Sequence, residues 1–249
     1  MQVRIASVNI LYDHPGTPNS WPERRQFLVD YIKSLNLDVV GTQEGRKDQL
    51  LDLARSLGSE YEIVDTHREW HEVKMYPCLF VRKDRFKIVE SCDRWLSETP
   101  EAPHSSSFGS RWPKLCVLAK VCAPEGGPVL GVGSFHFDNV CAEARPRQAE
   151  VLVQENSRFF GETPHVVVGD VNDGPDSQAV QVIRSSGYDE PWEFAAKPLT
   201  FHGFGQGEYR GRIDFLFHRL LGGPTVFGCD HRTDQYYSDH YLVWAEFTV

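Results

Sequence analysis

The chain has 249 residues, of which 41% are hydrophobic, 24% charged and 12% aromatic, and it carries a formal net charge of −9 with a sequence pI near 5.6. That composition supports a sizeable apolar core and excludes a disordered or collagen-like chain. Its acidity excludes a nucleic-acid-binding surface that is basic over the whole domain, but not a phosphate substrate, because a bound metal or local arginines reverse the sign at a site.

None of the six cysteines forms a CxxC pair, and most lie in apolar runs, which is the pattern of reduced, buried thiols. A disulfide between Cys116 and Cys122 stays open. No apolar run is long enough to span a membrane, and the first residues enter a strand pattern rather than a signal peptide. A cytoplasmic monomer without membrane contact is therefore expected, unless a secretion signal has been trimmed from the sequence.

Val3, Ile5 and Val8 predict a first strand with Asn9 at its end, followed by a loop rich in Pro and Gly. Ser20 and Glu23 have capping-box spacing with Pro22 in the first turn, and Phe27, Leu28, Tyr31, Ile32 and Leu35 recur at helical spacing. Leu37 to Val40 reads as a short buried strand that delivers Glu44, and Leu50, Leu51, Leu53, Ala54 and Leu57 mark a second helix. From Tyr61 the pattern turns to strands. Cys78–Val81 and Phe86–Val89 read as a hairpin turning through Arg82, Lys83, Asp84 and Arg85. Leu115–Cys122 and Val129–Phe137 read as another, turning through the segment from Pro124 to Pro128. A helix over 142–160 tolerates Pro146 near its start. Val166 to Val168 is a doubly buried strand that ends at Asp170, a helix covers 177–186, and strands over 213–217 and 241–247 close the chain. No linker or fixed-period repeat divides it. The expectation is one α/β domain over 1–249, with two sheets face to face and helices outside.

Six of these elements end on an acid, an amide or an imidazole: Asn9, Gln43 with Glu44, His136, Asp170 with Asn172, Asp214, and Asp239 with His240. Such groups gathered at strand ends are what hydrolysis of a phosphate ester with a hard metal ion requires. Glu44 offers magnesium an anionic oxygen. Asp170 and Asn172 share one turn, suited to positioning or deprotonating water and to fixing the phosphate or a second metal, although Gly169 to Gly174 is also good turn sequence in its own right. Zinc on Glu44, His136 and Asp170 is disfavoured because the cysteines lie far from these motifs.

Together, Asn9, Gln43 and Glu44, His136 and Asp138, Gly169 to Asn172, Ile213 and Asp214, and Ser238 to His240 resemble the endonuclease/exonuclease/phosphatase superfamily, whose members include pancreatic deoxyribonuclease. Trp95 to Pro100 is similar to a segment of an uncharacterised bacterial branch of it. The resemblance spans the chain. It implies a four-layered α/β sandwich of two mostly antiparallel sheets with outer helices, a divalent cation (magnesium, with manganese an option) and phosphoester hydrolysis. By the same resemblance Asp170 activates water, Asp214 orients His240, His136 and Asn172 contact the phosphate, and Asn9 and Asp239 join Glu44 at the metal. Relatives often place an acid before the Cys78 strand, where this chain has Lys74 to Pro77, so the partner of His136 is open among Glu69, Glu72 and Asp138.

Arg111, Arg145 and Tyr76 are taken as substrate-binding candidates, with Arg210 and Arg212 also near the motifs. Trp112, Trp70, Tyr76 and Phe204 are suited to stacking on a base or sugar, with core packing or loop anchoring the favoured role for each. The expected substrate is a phosphorylated small molecule or a nucleic acid. A scaffold that keeps the fold without the chemistry is the alternative of another class.

Overall fold

The computed structural model describes all residues except 17–18, 73, 192–198, 206–210 and 232–234. β1 (Gln2–Asn9) passes through helix α1 (Trp21–Ser34) to β2 (Val39–Arg46), which lies parallel to it. Helix α2 (Lys47–Leu57) leads to the short β3 (Tyr61–Ile63) and to β4 (Met75–Arg82). β5 (Lys87–Trp95), β6 (Leu115–Cys122) and β7 (Leu130–His136) then run antiparallel in succession. Helix α3 (Ala144–Phe160) crosses over to β8 (His165–Asp170), parallel to β7. After α4 (Gln178–Ser185) come β9 (Asp214–Arg219), β10 (Val226–Cys229) and β11 (Val243–Thr248).

These strands form a six-stranded sheet ordered β10-β11-β1-β2-β4-β3 and a five-stranded sheet ordered β5-β6-β7-β8-β9. Each sheet holds one parallel pair, and the remaining pairs are antiparallel. The apolar side chains separate into three clusters, as four stacked layers require. One joins α1 and α2 to the first sheet through Leu28, Ile32, Leu50, Leu53, Val8 and Phe80. A second fills the space between the sheets, with Ile5, Val39, Val132, Val166, Val168 and Leu216. The third joins α3 and α4 to the second sheet through Phe135, Phe215, Phe217, Leu152 and Ile183. This is the sandwich that the sequence implied.

The inner faces grade from apolar to polar toward one rim. Along β1, Ile5, Ser7 and Asn9 point inward, and along β7 Val132, Ser134 and His136 do, because every second side chain shares a face. Below the rim, Gln43 Nε2 donates to Ser7 Oγ at 3.2 Å and to Ser134 Oγ at 3.0 Å, so one amide ties the two sheets together.

Three local readings change. Cys78–Val81 and Phe86–Val89 are strands, but they do not form a hairpin: β4 pairs with β2 and β3, and β5 pairs with β6. The Arg82–Arg85 turn carries the chain from one sheet to the other, because Phe86 buries itself in the cluster between them. Ser20 stands at the N-cap of α1, but its hydroxyl makes no cap bond; Asp13 Oδ1 accepts from Trp21 N at 2.7 Å instead. β10 escaped the sequence reading, since Val226 to Cys229 is a short, half-exposed edge strand with little periodicity. All six cysteines are free thiols, with Cys116 and Cys122 on the same strand. No helix among the described residues is long and apolar enough to cross a membrane.

The sheets pack tightly at Gly41, where an added Cβ would lie 2.3 Å from Val168 Cγ2. Gly41→Ala is expected to destabilise the fold by about 1–3 kcal/mol through overpacking, read as a lower urea midpoint at unchanged m-value. An unchanged midpoint would show that the sheets part freely at this level.

Candidate functional site

Strand register builds the first row of the site. His136 is paired with Asp170 across β7 and β8, and Asp170 with Asp214 across β8 and β9. All three project from the inner face, in line with Ser134, Val168 and Leu216. Asn9 and Gln43 form the matching row on the first sheet. Glu44 reaches the same rim through a bulge in β2 between Thr42 and Gly45, where its backbone takes φ 64°. Leu11 and Asn172 are likewise left-handed, at φ 50° and 56°. Non-glycine residues in this region carry strain, and here they sit beside the polar row.

Asp170 is buried and central. Its Oδ2 accepts from Asn9 Nδ2 at 3.0 Å and its Oδ1 from Asn172 N at 2.7 Å. Around it lie two clusters of donor atoms, Glu44–His136–Asp170 and Asp170–Asp214–His240, each with its atoms within 4.8 Å of one another. His240 Nδ1 bonds Asp214 Oδ2 at 2.9 Å, and its Nε2 faces Asp170 at 3.9 Å. Asp239 stands outside both clusters, with Oδ1 accepting from Ser238 Oγ at 3.2 Å.

Burial and the neighbouring Asp214 raise the Asp170 carboxyl to about 7, against the pull of His240. Burial alone would lower His240, but Asp214, followed by Asp170 and Asp239, lifts it to about 10. His240 is thus a held imidazolium. His136 goes the other way: burial, Lys114 and His240 keep it well below the ordinary imidazole value. Asn172 Nδ2 donates to Phe137 O at 3.1 Å, which fixes the amide, and lies 2.9 Å from His136 Nε2. The neutral ring therefore accepts from Asn172. Among the described residues, none of the three acids open as its partner bonds to it. Glu72 pairs with Lys47, and Asp138 accepts from Ser110 and the backbone of Arg111, Val140 and Cys141.

The donor set fits a hard divalent cation. Each cluster brings two carboxylates together, Asp214 Oδ1 is buried with no hydrogen-bond partner, and no arginine pairs with Glu44, Asp170 or Asp214 among the described residues. Glu44 and Asp170 supply charged oxygens and Asn9 a carboxamide oxygen that also accepts from Leu11 N.

Several expected substrate contacts are engaged elsewhere. Arg145 donates to Asp138 O and pairs with Asp173 at 2.8 Å, and Arg212 pairs with Glu190 at 2.9 Å. Tyr76 is not brought to the site: it is buried against Trp70 in the helix-side core and accepts from His71 N at 2.9 Å. Arg111 is exposed and lies over Trp112, 5.4 Å from the ring centroid. Trp112 is no core residue, being 51% exposed. Arg210 lies outside the described residues.

Three features were missed. Lys114 is buried beside His136 and held among Glu44, Asp138 and Asp170, with burial lowering its ammonium; a lone charge opening an apolar strand was the available signal. Arg24, on the apolar stripe of α1, donates to the carbonyls of Ile10, Leu11, Asn19 and Tyr237. Thr200 Oγ1 accepts from Ile213 N and Asp214 N, while His202 N bonds Asp239 O.

A sequence model of the endonuclease/exonuclease/phosphatase family matches residues 6–240. The chain belongs to that family. A solved family member from Bacteroides vulgatus is 28% identical, with 100% of this chain and 99% of that chain covered and a TM-score of 0.92. The mannosyl-6-phosphatase of Bacteroides thetaiotaomicron is 24% identical over 99% and 100%, with a TM-score of 0.85. TDP2 of D. rerio, complexed with single strand DNA product, is 19% identical over 100% and 99%, with a TM-score of 0.78. At these last two identities the likeness is one of fold.

Both raised groups sit above their unfolded values of 3.8 and 6.5. Each therefore contributes stability that is full below its unfolded pKa and lost as pH climbs, through about 7 for Asp170 and about 10 for His240. These two groups thus favour the metal-free fold at acid pH, while the lowered His136 and Asp138 act in the opposite direction. Magnesium, which binds the deprotonated acids, should raise Tm more at pH 8 than at pH 5. Scanning fluorimetry checks this, and equal shifts at the two pH values would contradict it.

Proposed function

We propose that this chain is a magnesium-dependent hydrolase of phosphate esters acting on small phosphorylated molecules. The observation that carries the reading is the position of Asp170, shared by the carboxylate–histidine cluster of Glu44 and His136 and by the Asp214–His240 pair. Fold likeness to a mannosyl-6-phosphatase and to a protein bound to a DNA product supports phosphoester chemistry and leaves its substrate open.

Magnesium held by Glu44 and Asn9, with Asp239 nearby, would neutralise phosphate oxygens and ease departure of the leaving oxygen. Manganese suits the same oxygen donors. Asp170, aimed by Asn9 and Asn172, takes a proton from water. The water oxygen bonds to phosphorus as the bond to the ester oxygen breaks, and the alkoxide leaves as an alcohol after protonation by solvent. His240, kept cationic by Asp214, stabilises charge on the phosphoryl oxygens. Lys114 adds positive charge on the His136 side.

Small substrates are favoured because Arg145 and Arg212 are paired with Asp173 and Glu190 rather than laid out as a track for a polyanion. With p-nitrophenyl phosphate and its bis ester, turnover should require magnesium or manganese and stop with chelator. Asp170→Asn should lower kcat by roughly 10²- to 10⁴-fold without lowering Tm. Full activity in that variant would remove Asp170 as the base, and near-zero rates from folded wild type under every metal condition would favour the scaffold reading.

A further inference from the structure

The phosphate side of the site has a neighbour that the chemistry above leaves unused. A cavity of about 60 Å³ opens beside His136 and Lys114, with Lys74 and Pro77 on one side and Trp95 and Trp112 on the other. His136 Nε2 stands 3.9 Å from Glu44 and 3.7 Å from Asp170, so a group filling this cavity adjoins any phosphate seated at those carboxylates.

The walls are built rather than incidental. Trp95 is buried, its backbone N–H donates to Pro100 O at 2.8 Å, and Leu96 N donates to Lys114 O at 2.7 Å. Ser97, fully buried, bonds Ser105 Oγ at 2.6 Å and accepts from Thr99 N at 3.1 Å. Ser110 donates to Asp138 at 2.7 Å. The Trp95–Pro100 segment thus braces the loop that presents Trp112, a half-exposed ring at the mouth of the cavity.

The chemistry of the surroundings selects the occupant. Lys74, Lys114 and the nearby Arg111 disfavour a cationic group. Past Trp95 the next depression carries Glu69 and Glu101, while Arg94 there is engaged by Glu155 and Asp93 is held by Arg68 and His67, so a second phosphate would find no unpaired arginine. An uncharged group suits both surroundings. A cavity of this size takes one edge of a single ring rather than a base with its ribose. An apolar ring face suits the indole, and hydroxyls suit the ammonium groups.

On the phosphoesterase reading, we infer that this cavity is the leaving-group subsite, that Trp112 is its platform, and that the substrate is the monophosphate of a monosaccharide or similar cyclic polyol. The test compares hexose monophosphates with glycerol phosphate, which lacks the ring, and with nucleoside monophosphates and dinucleotides. Magnesium-loaded wild type, Trp112→Ala and Trp112→Phe are assayed on each, with Tm confirming the fold. Hexose phosphates should be the best substrates. Trp112→Ala should lower their kcat/KM about ten-fold more than that of glycerol phosphate, mainly through KM, and Trp112→Phe should restore most of it. Faster cleavage of nucleoside monophosphates or dinucleotides than of every hexose phosphate overturns the assignment, as does an equal loss on glycerol phosphate. Failure to hydrolyse any ester, glycerol phosphate included, would instead bring down the phosphoesterase reading beneath it.

Discussion

Two aspartates face one another across β8 and β9, and the rest of the site is arranged around that repulsion. Asp170 and Asp214 are register partners at strand ends, both buried. Like charges directly opposite one another destabilise a sheet, and burial sharpens the penalty. The protein answers on each side separately. Asp214 is met by the imidazole of His240, and Asp170 by one amide from Asn9 and one backbone N–H from Asn172. What is left over is negative charge at the rim, which a divalent cation would remove. The same repulsion would favour binding of that cation.

Register is what holds these groups on one side. A shift of one residue in β8 would turn Asp170 toward the helices and bring Gly169 or Val171 to the rim. Val166 and Val168, four and two residues earlier, are buried between the sheets and oppose that slip. Gln43 bonds a serine on each sheet, so the two halves of the site are tied just beneath it. Arg24 performs a similar task from the helix side. Its guanidinium collects carbonyls from the loop after β1 and from Tyr237, next to the Ser238–His240 turn. Ser238 Oγ closes the circuit on Asn9 O at 2.5 Å. Polar groups held by bonds of this kind need little rearrangement when charge develops on a substrate.

Several strand ends were legible because an apolar run stops on a residue that can ligate or titrate, as at Asn9, His136 and Asp170. Glu44 within β2, Asp214 at the start of β9 and His240 before β11 stood out through the family resemblance as well. Partnership between strands was less legible. The Arg82–Arg85 turn looks like a hairpin turn, and only the burial of Phe86 between the sheets sends the chain across rather than back. Lys114, Arg24 and Thr200 were hidden for a different reason. Their importance rests on what long-range folding places beside them, and local sequence offers only an isolated polar residue inside an apolar pattern. Tyr76 shows the converse: its neighbours Met75 and Pro77 line the cavity beside His136, while strand alternation turns Tyr76 itself into the core.

The two clusters that share Asp170 give the site two sides with different duties. On the Asp214–His240 side, charge is fixed by bonds between strand-end residues, which tolerate little variation in position. On the His136–Lys114 side, the walls come from the loop after β5 and the start of β4. Loops vary more readily than the strands that carry them, so a family can keep the first side and change the second. On the proposed function, this partition also lets an acidic chain handle an acidic substrate. With a net charge of −9, attraction has to be local, from Lys114 and, on that reading, from a cation at Glu44, and screening confines it to about 10 Å. A compact phosphate ester would fit inside that range, whereas a long polyanion would extend beyond it.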